Sequence, residues 1–385
     1  MRTIYLDYNA TTPLDPAVRE AMVPFLGEVW GNPSSVHHIG RRARSLLDEQ
    51  RDRVAHLWRC KPSEVVFTSG GTESNNLAVF GAARALRAKG RHLITSPTEH
   101  HAVLHCFQYL ARHEGFEVTW LPVSPEGLVN PDDLARALRP DTTLVSVMAA
   151  NNETGVLQPV AELGRLCRER GVLFHTDAVQ VFGKLPFDSI HQFNADLVSV
   201  CAHKFHGPKG AGALFIRSPL QPHPILFGGG HENERRAGTE NLATIASFAE
   251  AFARFVPTPV FSPLCIAPQA SRLAAAVRAI PGVTLRSPEA PLNLPNTVAF
   301  TVRGADSIAL LAALDLEGIC ASSGSACSAG SLEPSHVMLA MGVPAAEANA
   351  LVRLSLGRET TADEIEHVAR VLPSLIARIQ AANKH

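Results

Sequence analysis

The sequence predicts an α/β fold, with a mostly parallel, helix-covered sheet in a large domain and a smaller α/β domain after it. Three observations predict this. Short apolar, β-rich runs alternate with helix-length periodic segments through the first two-thirds of the chain. A proline-rich stretch then breaks the pattern, and a second α/β segment follows. The length of 385 residues, 46% of them hydrophobic, exceeds the usual size of one domain and supplies a large core.

Residues 65–68, 93–95, 144–147, 172–175 and 197–200 read as buried strands. Between them, Ala43, Leu46, Leu47, Val54, Leu57 and Trp58 recur at helical spacing, as do Val160, Leu163, Leu166 and Cys167 before Gly171. These stripes are core. Four prolines within 256–268 are expected to deny a continuous helix and to mark the domain boundary. The division is therefore 13–256 for the large domain, and 1–12 with 257–385 for the small one. The last helix opens on Thr361-Ala-Asp-Glu364, a capping box, with Ile365, Val368, Leu372, Leu375, Ile376 and Ile379 on one face.

Composition excludes several classes. With 35 basic and 36 acidic side chains and no basic stripe, direct nucleic-acid binding is not expected. Asp7 interrupts the N-terminus before an apolar signal segment forms, and no later run is long enough to span a bilayer, so the expected address is cytoplasmic, with no membrane partner. Seven scattered cysteines without a C-x-x-C pair indicate neither disulfides nor zinc, and the 17 histidines show no ligand-spaced cluster, so no metal is expected.

Three loops carry chemistry. Thr68-Ser-Gly-Gly-Thr72 lies between a strand and a helix expected to begin near Ser74; glycines, free helix N–H groups and a hydroxyl suit a phosphate, although such turns are structural about as often. Asp177 follows the strand 172–175 and either caps the next helix or faces a cationic ligand atom. Lys204 comes 27 residues later, at another strand end, in Cys201-Ala-His203-Lys204-Phe-His-Gly207. Apolar neighbours that desolvate an amine make it a reasonable nucleophile, whereas most lysines are simply surface groups.

This order resembles the fold-type I enzymes that use pyridoxal 5'-phosphate (PLP), and the wording resembles the class V cysteine desulfurases of the NifS and IscS type. The resemblance covers nearly the whole chain. It includes Asp7-Tyr-Asn-Ala-Thr-Thr-Pro13, Gly31-Asn-Pro-Ser-Ser35, Ser69-Gly-Gly-Thr-Glu-Ser-Asn-Asn76, Glu99-His100, Asn151-Asn-Glu-Thr-Gly155, His203-Lys204, Arg236-Ala-Gly-Thr239 and Arg353-Leu-Ser-Leu-Gly-Arg358. It implies a fold-type I transferase in which Lys204 carries PLP as a Schiff base and Asp177 keeps the ring nitrogen protonated. It implies further that His100 stacks on the ring and moves protons, and that Asn152 and Gln180 bond the phenolic oxygen. Gly71, Thr72, Cys201 and His203 are implied at the phosphate, with Thr239 supplied by the second subunit of a homodimer. Arg353, with Asn32 assisting and Arg358 as a rival, is implied to bind the carboxylate of L-cysteine.

Cys327 decides the reaction. It stands in Ala321-Ser-Ser-Gly-Ser-Ala-Cys327-Ser-Ala-Gly-Ser, a small-residue stretch that reads as an exposed loop. The resemblance makes it the thiolate that attacks the substrate sulfur, giving a persulfide and L-alanine, with Lys204 as general base. The persulfide then passes to a protein acceptor, an iron-sulfur scaffold or another carrier; iron-sulfur cluster assembly, tRNA thiolation and DNA phosphorothioation all remain open destinations. A selenocysteine lyase or another class V PLP enzyme is the alternative, and a non-catalytic sulfur-carrier scaffold is the alternative of another class. The chain departs from the family pattern at Cys201, where a serine is usual, at Asn233-Glu234 in place of Arg-Gly, and in the proline-rich segment.

Overall fold

The computed structural model describes residues 3–324 and 333–382. Its strands are, in chain order, β1 (Ile4–Tyr5), β2 (Val65–Thr68), β3 (His92–Thr95), β4 (Glu117–Trp120), β5 (Thr142–Ser146), β6 (Leu173–Asp177), β7 (Leu197–Cys201), β8 (Gly212–Ile216), β9 (Val283–Leu285), β10 (Thr297–Val302), β11 (Ile319–Cys320) and β12 (Leu351–Ser355). Seven form one sheet in the order β2-β8-β7-β6-β5-β3-β4. Within it only β8 runs against its neighbours, β2 and β7. The reason is chain length: the ten residues between Cys201 and Gly212 are too few to carry a helix back for a parallel crossover.

The buried strands alternate faces with a period of two. Val65, Phe67, Ile94, Val145, Phe174, Val198 and Phe215 join one hydrophobic cluster, while Val66, Leu93, Leu144, Leu197, Leu214 and Ile216 join another on the opposite face. The first is covered by the helices His38–Trp58, Val160–Glu169 and Leu242–Phe255, the second by Gly71–Ala85 and His101–His113. Two histidines cross-link neighbouring strands through their side chains. His175 of β6 bonds Ser146 Oγ on β5 (2.7 Å) and Ser199 Oγ on β7 (3.0 Å), and His92 of β3 bonds Thr142 Oγ1 on β5 (2.7 Å) and Thr119 Oγ1 on β4 (2.8 Å).

A third cluster holds Ile4, Leu6 and Tyr8 together with Phe261, Leu273, Val298, Phe300, Val352, Leu354 and the apolar face of the helix Ala362–Ala382. The chain passes from the first core to this one between Val256 and Phe261. The antiparallel trio β12-β10-β9 lies here, and β1 pairs with β11 in parallel. Thr361 and Glu364 form the expected reciprocal cap, at 2.9 and 3.3 Å.

Two expectations are corrected. The proline-rich segment does contain a continuous helix, Pro263–Arg278, because Pro263 occupies the first helical position and Pro268, within the second turn, forfeits only one bond. The helix after the glycine loop begins at Gly71, not near Ser74, since Gly70 adopts φ 150°, a conformation that glycine alone enters freely, and completes the turn early.

Candidate functional site

The carboxyl ends of β2, β6 and β7 point to one edge of the sheet, and a cavity of about 240 Å³ opens there. It is lined by Gly71, Thr72, His100, Asn152, Asp177, Gln180, Cys201, His203, Lys204 and Arg353, and also by Asn9 and Asn75. Asn32 and Thr239 do not line it. The Asn32 side chain is exposed and accepts from the Ser34 backbone N–H at 2.8 Å, and Thr239 lies exposed in a separate surface depression beside Ser69 and Arg236.

The helix Gly71–Ala85 starts without any side-chain cap, so its leading N–H groups remain available to an anion. A Cβ at Gly71 would sit 2.8 Å from Val179 Cγ2, so the two loops leave room there for glycine and no larger residue. Asn75, one helical turn on, donates to Asp177 Oδ2 at 2.6 Å, while the Val179 N–H donates to Oδ1 at 3.0 Å. Burial nonetheless raises the Asp177 carboxyl, so a cationic ligand atom would find a partially desolvated acid.

Lys204 Nζ donates to the backbone oxygens of Asn9 (2.6 Å) and Ala10 (2.8 Å). Burial lowers its ammonium below the ordinary lysine range and Arg353 adds to this, against Cys201 and Asp177. His100 caps the helix His101–His113, its Nδ1 accepting from the Ala102 N–H at 3.1 Å. Burial first, then Lys204 and neighbouring histidines, push it down to about 4, so the ring is neutral at pH 7. His203, pushed to about 3 by burial, is neutral as well, whereas burial raises the Cys201 thiol to about 12 and keeps it protonated.

Arg353 is 1% exposed. It donates to Asp7 Oδ1 (2.7 Å), Asn152 O (2.8 Å) and Gly324 O (2.6 Å), and its Nε–H finds no partner among the described residues. An orphaned donor of a buried guanidinium at a cavity wall fits an incoming carboxylate. The rival, Arg358, is engaged by Asp15 (2.8 Å) and Glu359 (2.6 Å) and lines no part of the cavity. Cys327 lies outside the described residues.

The N-terminal segment supplies a wall that sequence reasoning had assigned no role. Asn9 O accepts from both Lys204 and Gln180 Nε2 (2.9 Å), and Thr12 bonds back to His203 O. Asn75 had a readable signal, since i and i+4 put it on the same helical face as Gly71. An amine, an acid, a bare helix start and an unpaired guanidinium donor thus surround one cavity, and together they suit a phosphorylated aromatic aldehyde and an amino acid. PLP fits this donor set.

Comparison with known proteins agrees with the geometry. The model of the class-V aminotransferase family matches residues 4–368. A cysteine desulfurase IscS of Dictyoglomus turgidum is 44% identical over 392 aligned positions, which cover 100% of this chain and 97% of that one. Among solved structures, a NifS-like protein superposes with a TM-score of 0.90 at 34% identity, covering 98% of this chain and 100% of the other. SspA in complex with cysteine superposes at 0.81 with 33% identity, over 93% and 100% of the two chains.

Proposed function

The chain belongs to the class-V aminotransferase family, and from that premise we propose the reaction its site supports best: a PLP-dependent cysteine desulfurase that converts L-cysteine to L-alanine and takes the sulfur onto its own cysteine. The observation that carries this reading is the convergence of Lys204, Asp177 and the uncapped helix start on the cavity that Arg353 also lines.

In this reading the N–H groups at Gly71 and Thr72, with His203, seat the phosphate, and Cys201 adds a weak S–H donor. Asp177 would hold the charge on the ring nitrogen, Asn152 and Gln180 would serve the phenolic oxygen, and His100 would lie against the ring. Bound there, PLP supplies an electron-withdrawing ring that acidifies the substrate α-carbon. Arg353 takes the cysteine carboxylate through its open Nε–H edge. Lys204, its amine already disposed to lose a proton, would hold the cofactor and serve as the base toward the substrate α-carbon. Cys327, three residues beyond the Gly324 carbonyl that Arg353 grips, would attack the substrate sulfur; the carbon–sulfur electron pair goes to the β-carbon, the enzyme keeps a persulfide, and a proton gained at the β-carbon and one returned to the α-carbon leave alanine.

Residues 13–256 are the cofactor-binding unit in this reading, and 1–12 with 257–385 the smaller unit; the separate cores that exchange between Val256 and Phe261 support the division. The active molecule is a homodimer, supported by Trp30, Val36 and Phe227, which are 70%, 86% and 85% exposed, and by the surface position of Thr239. A protein acceptor, an iron-sulfur scaffold or another carrier, receives the sulfur. No described helix is long and apolar enough to cross a membrane, and a mechanism that needs a free cysteine thiol suits the reducing cytoplasm.

The test is L-alanine formation from L-cysteine by the PLP-loaded chain, with Lys204→Ala and Cys327→Ala alongside. Loss in both supports the assignment. Undiminished sulfide release by Cys327→Ala would sink the persulfide step.

A further inference from the structure

Lys184 is a lysine that none of these roles uses. It is 0% exposed, yet it forms no ion pair among the described residues. Its Nζ lies 2.6 Å from Asn9 Oδ1, 2.5 Å from Gln180 Oε1 and 5.5 Å from the centre of the Phe261 ring. Burial, with Lys204 and Arg353 nearby, pushes its ammonium well down. A buried amine without a counter-ion is costly, and a methionine of similar length would fill the same space at less cost.

We propose that Lys184 is a positioning residue: by donating to the amide oxygens of Gln180 and Asn9, it fixes which end of each amide faces the reacting groups. The argument rests on donor and acceptor polarity. The two ends of a carboxamide have nearly the same shape but opposite hydrogen-bonding character. The two bonds need two N–H donors, which the neutral amine still has alongside its single lone pair, so Lys184 holds the oxygen end of each amide and turns the other end away from itself.

For Gln180 the consequence is that Nε2 sends one N–H to Asn9 O at 2.9 Å, beside the cavity that both residues line, and keeps a second N–H to give. For Asn9, Oδ1 is held by Lys184 and by Asn296 Nδ2 (3.2 Å), so Nδ2 turns to Thr297 Oγ1 (2.9 Å) and Asn152 O (3.3 Å). The Asn9 backbone oxygen is then left for Lys204 Nζ. Without Lys184 the Gln180 Oε1 loses its donor, and the bond from Nε2 to Asn9 O is left to oppose a turn that would bring the oxygen inward against the phenolic oxygen of the cofactor. This proposal rests on the PLP reading given above, and that reading is checked first by the visible absorption of the wild-type holoenzyme.

The experiment compares wild type, K184M, Q180L and the double variant as PLP-loaded proteins. It measures the cofactor dissociation constant and the pH at which the visible band changes form. K184M is expected to weaken cofactor binding about ten-fold, the loss of one good hydrogen bond, and to move the spectral transition to higher pH. Both effects are expected to vanish when Q180L is already present, because Lys184 acts through that amide. An unchanged spectral transition in K184M, or effects that add fully to those of Q180L, would overturn the proposal, and neither outcome touches the PLP reading. If K184M does not fold, K184L is read in the same way: it donates to neither oxygen. A shift to higher pH that disappears with Q180L then supports the proposal, and an unchanged transition overturns it.

Discussion

The Arg353 guanidinium and the Asp7 carboxylate meet at 2.7 Å, joining β12 to the N-terminal segment at the rim of the cavity. Arg353 is almost completely buried and Asp7 only partly so. The pair therefore orients the guanidinium more than it neutralises it. Asp7→Asn keeps the shape and removes the charge. The expected result is a KM for L-cysteine raised about ten-fold with cofactor content unchanged. Arg353→Ala should raise KM further, by about a hundred-fold, and steady-state kinetics on the holoenzyme check both.

Gly71 is held against Val179 too closely for a Cβ. Gly71→Ala should push the two loops apart and speed loss of PLP on dialysis, with a stability loss of about 1–2 kcal/mol. Val179→Ala added to Gly71→Ala should restore retention, because it removes the colliding methyl.

Cys201 presents a protonated thiol to the same end of the cavity. A hydroxyl is the better donor. Cys201→Ser should tighten PLP binding by about three- to ten-fold, the effect of strengthening one hydrogen bond, read by fluorescence titration of the apo-protein.

His175 gives the pH dependence its sign. Burial pushes its folded-state value down to about 3, below the ordinary value of about 6.5 in the unfolded chain. The unfolded state therefore binds the proton first. The contribution of neutral His175 is complete above about pH 6.5 and is lost as pH falls from there toward 3. His175→Asn should be less stable at pH 7, yet its stability should fall less steeply between pH 6 and 4. Urea unfolding across that range measures the difference.

Strand positions were readable where both faces are buried and the runs are apolar, as at β2 and β7. β4 escaped because it lies at the sheet edge, half-exposed. β8 escaped because Gly212 hides its start inside a glycine-rich loop. Pro268 misled because a proline was weighed by its presence and not by its distance from the helix start. At the site, Lys204, Asp177 and Thr72 stood out through their place at strand ends. Asn9 and Lys184 could not, since their meeting spans 175 positions in sequence and only the folded chain brings them together. Asn32 and Thr239, taken from resemblance, lie away from the cavity of the single chain.

The dependence of Asn9 on distant residues has a consequence for synthesis. Its backbone N–H donates to Ser355 Oγ and its side chain to Thr297, while Lys204 waits on its carbonyl. On the ribosome the segment that finishes the cavity emerges long before the groups that hold it. A nascent chain can build the central sheet and expose Lys204 long before the cavity wall exists. Cofactor capture therefore waits for β12, and truncation before β12 should abolish it even where the central sheet still folds.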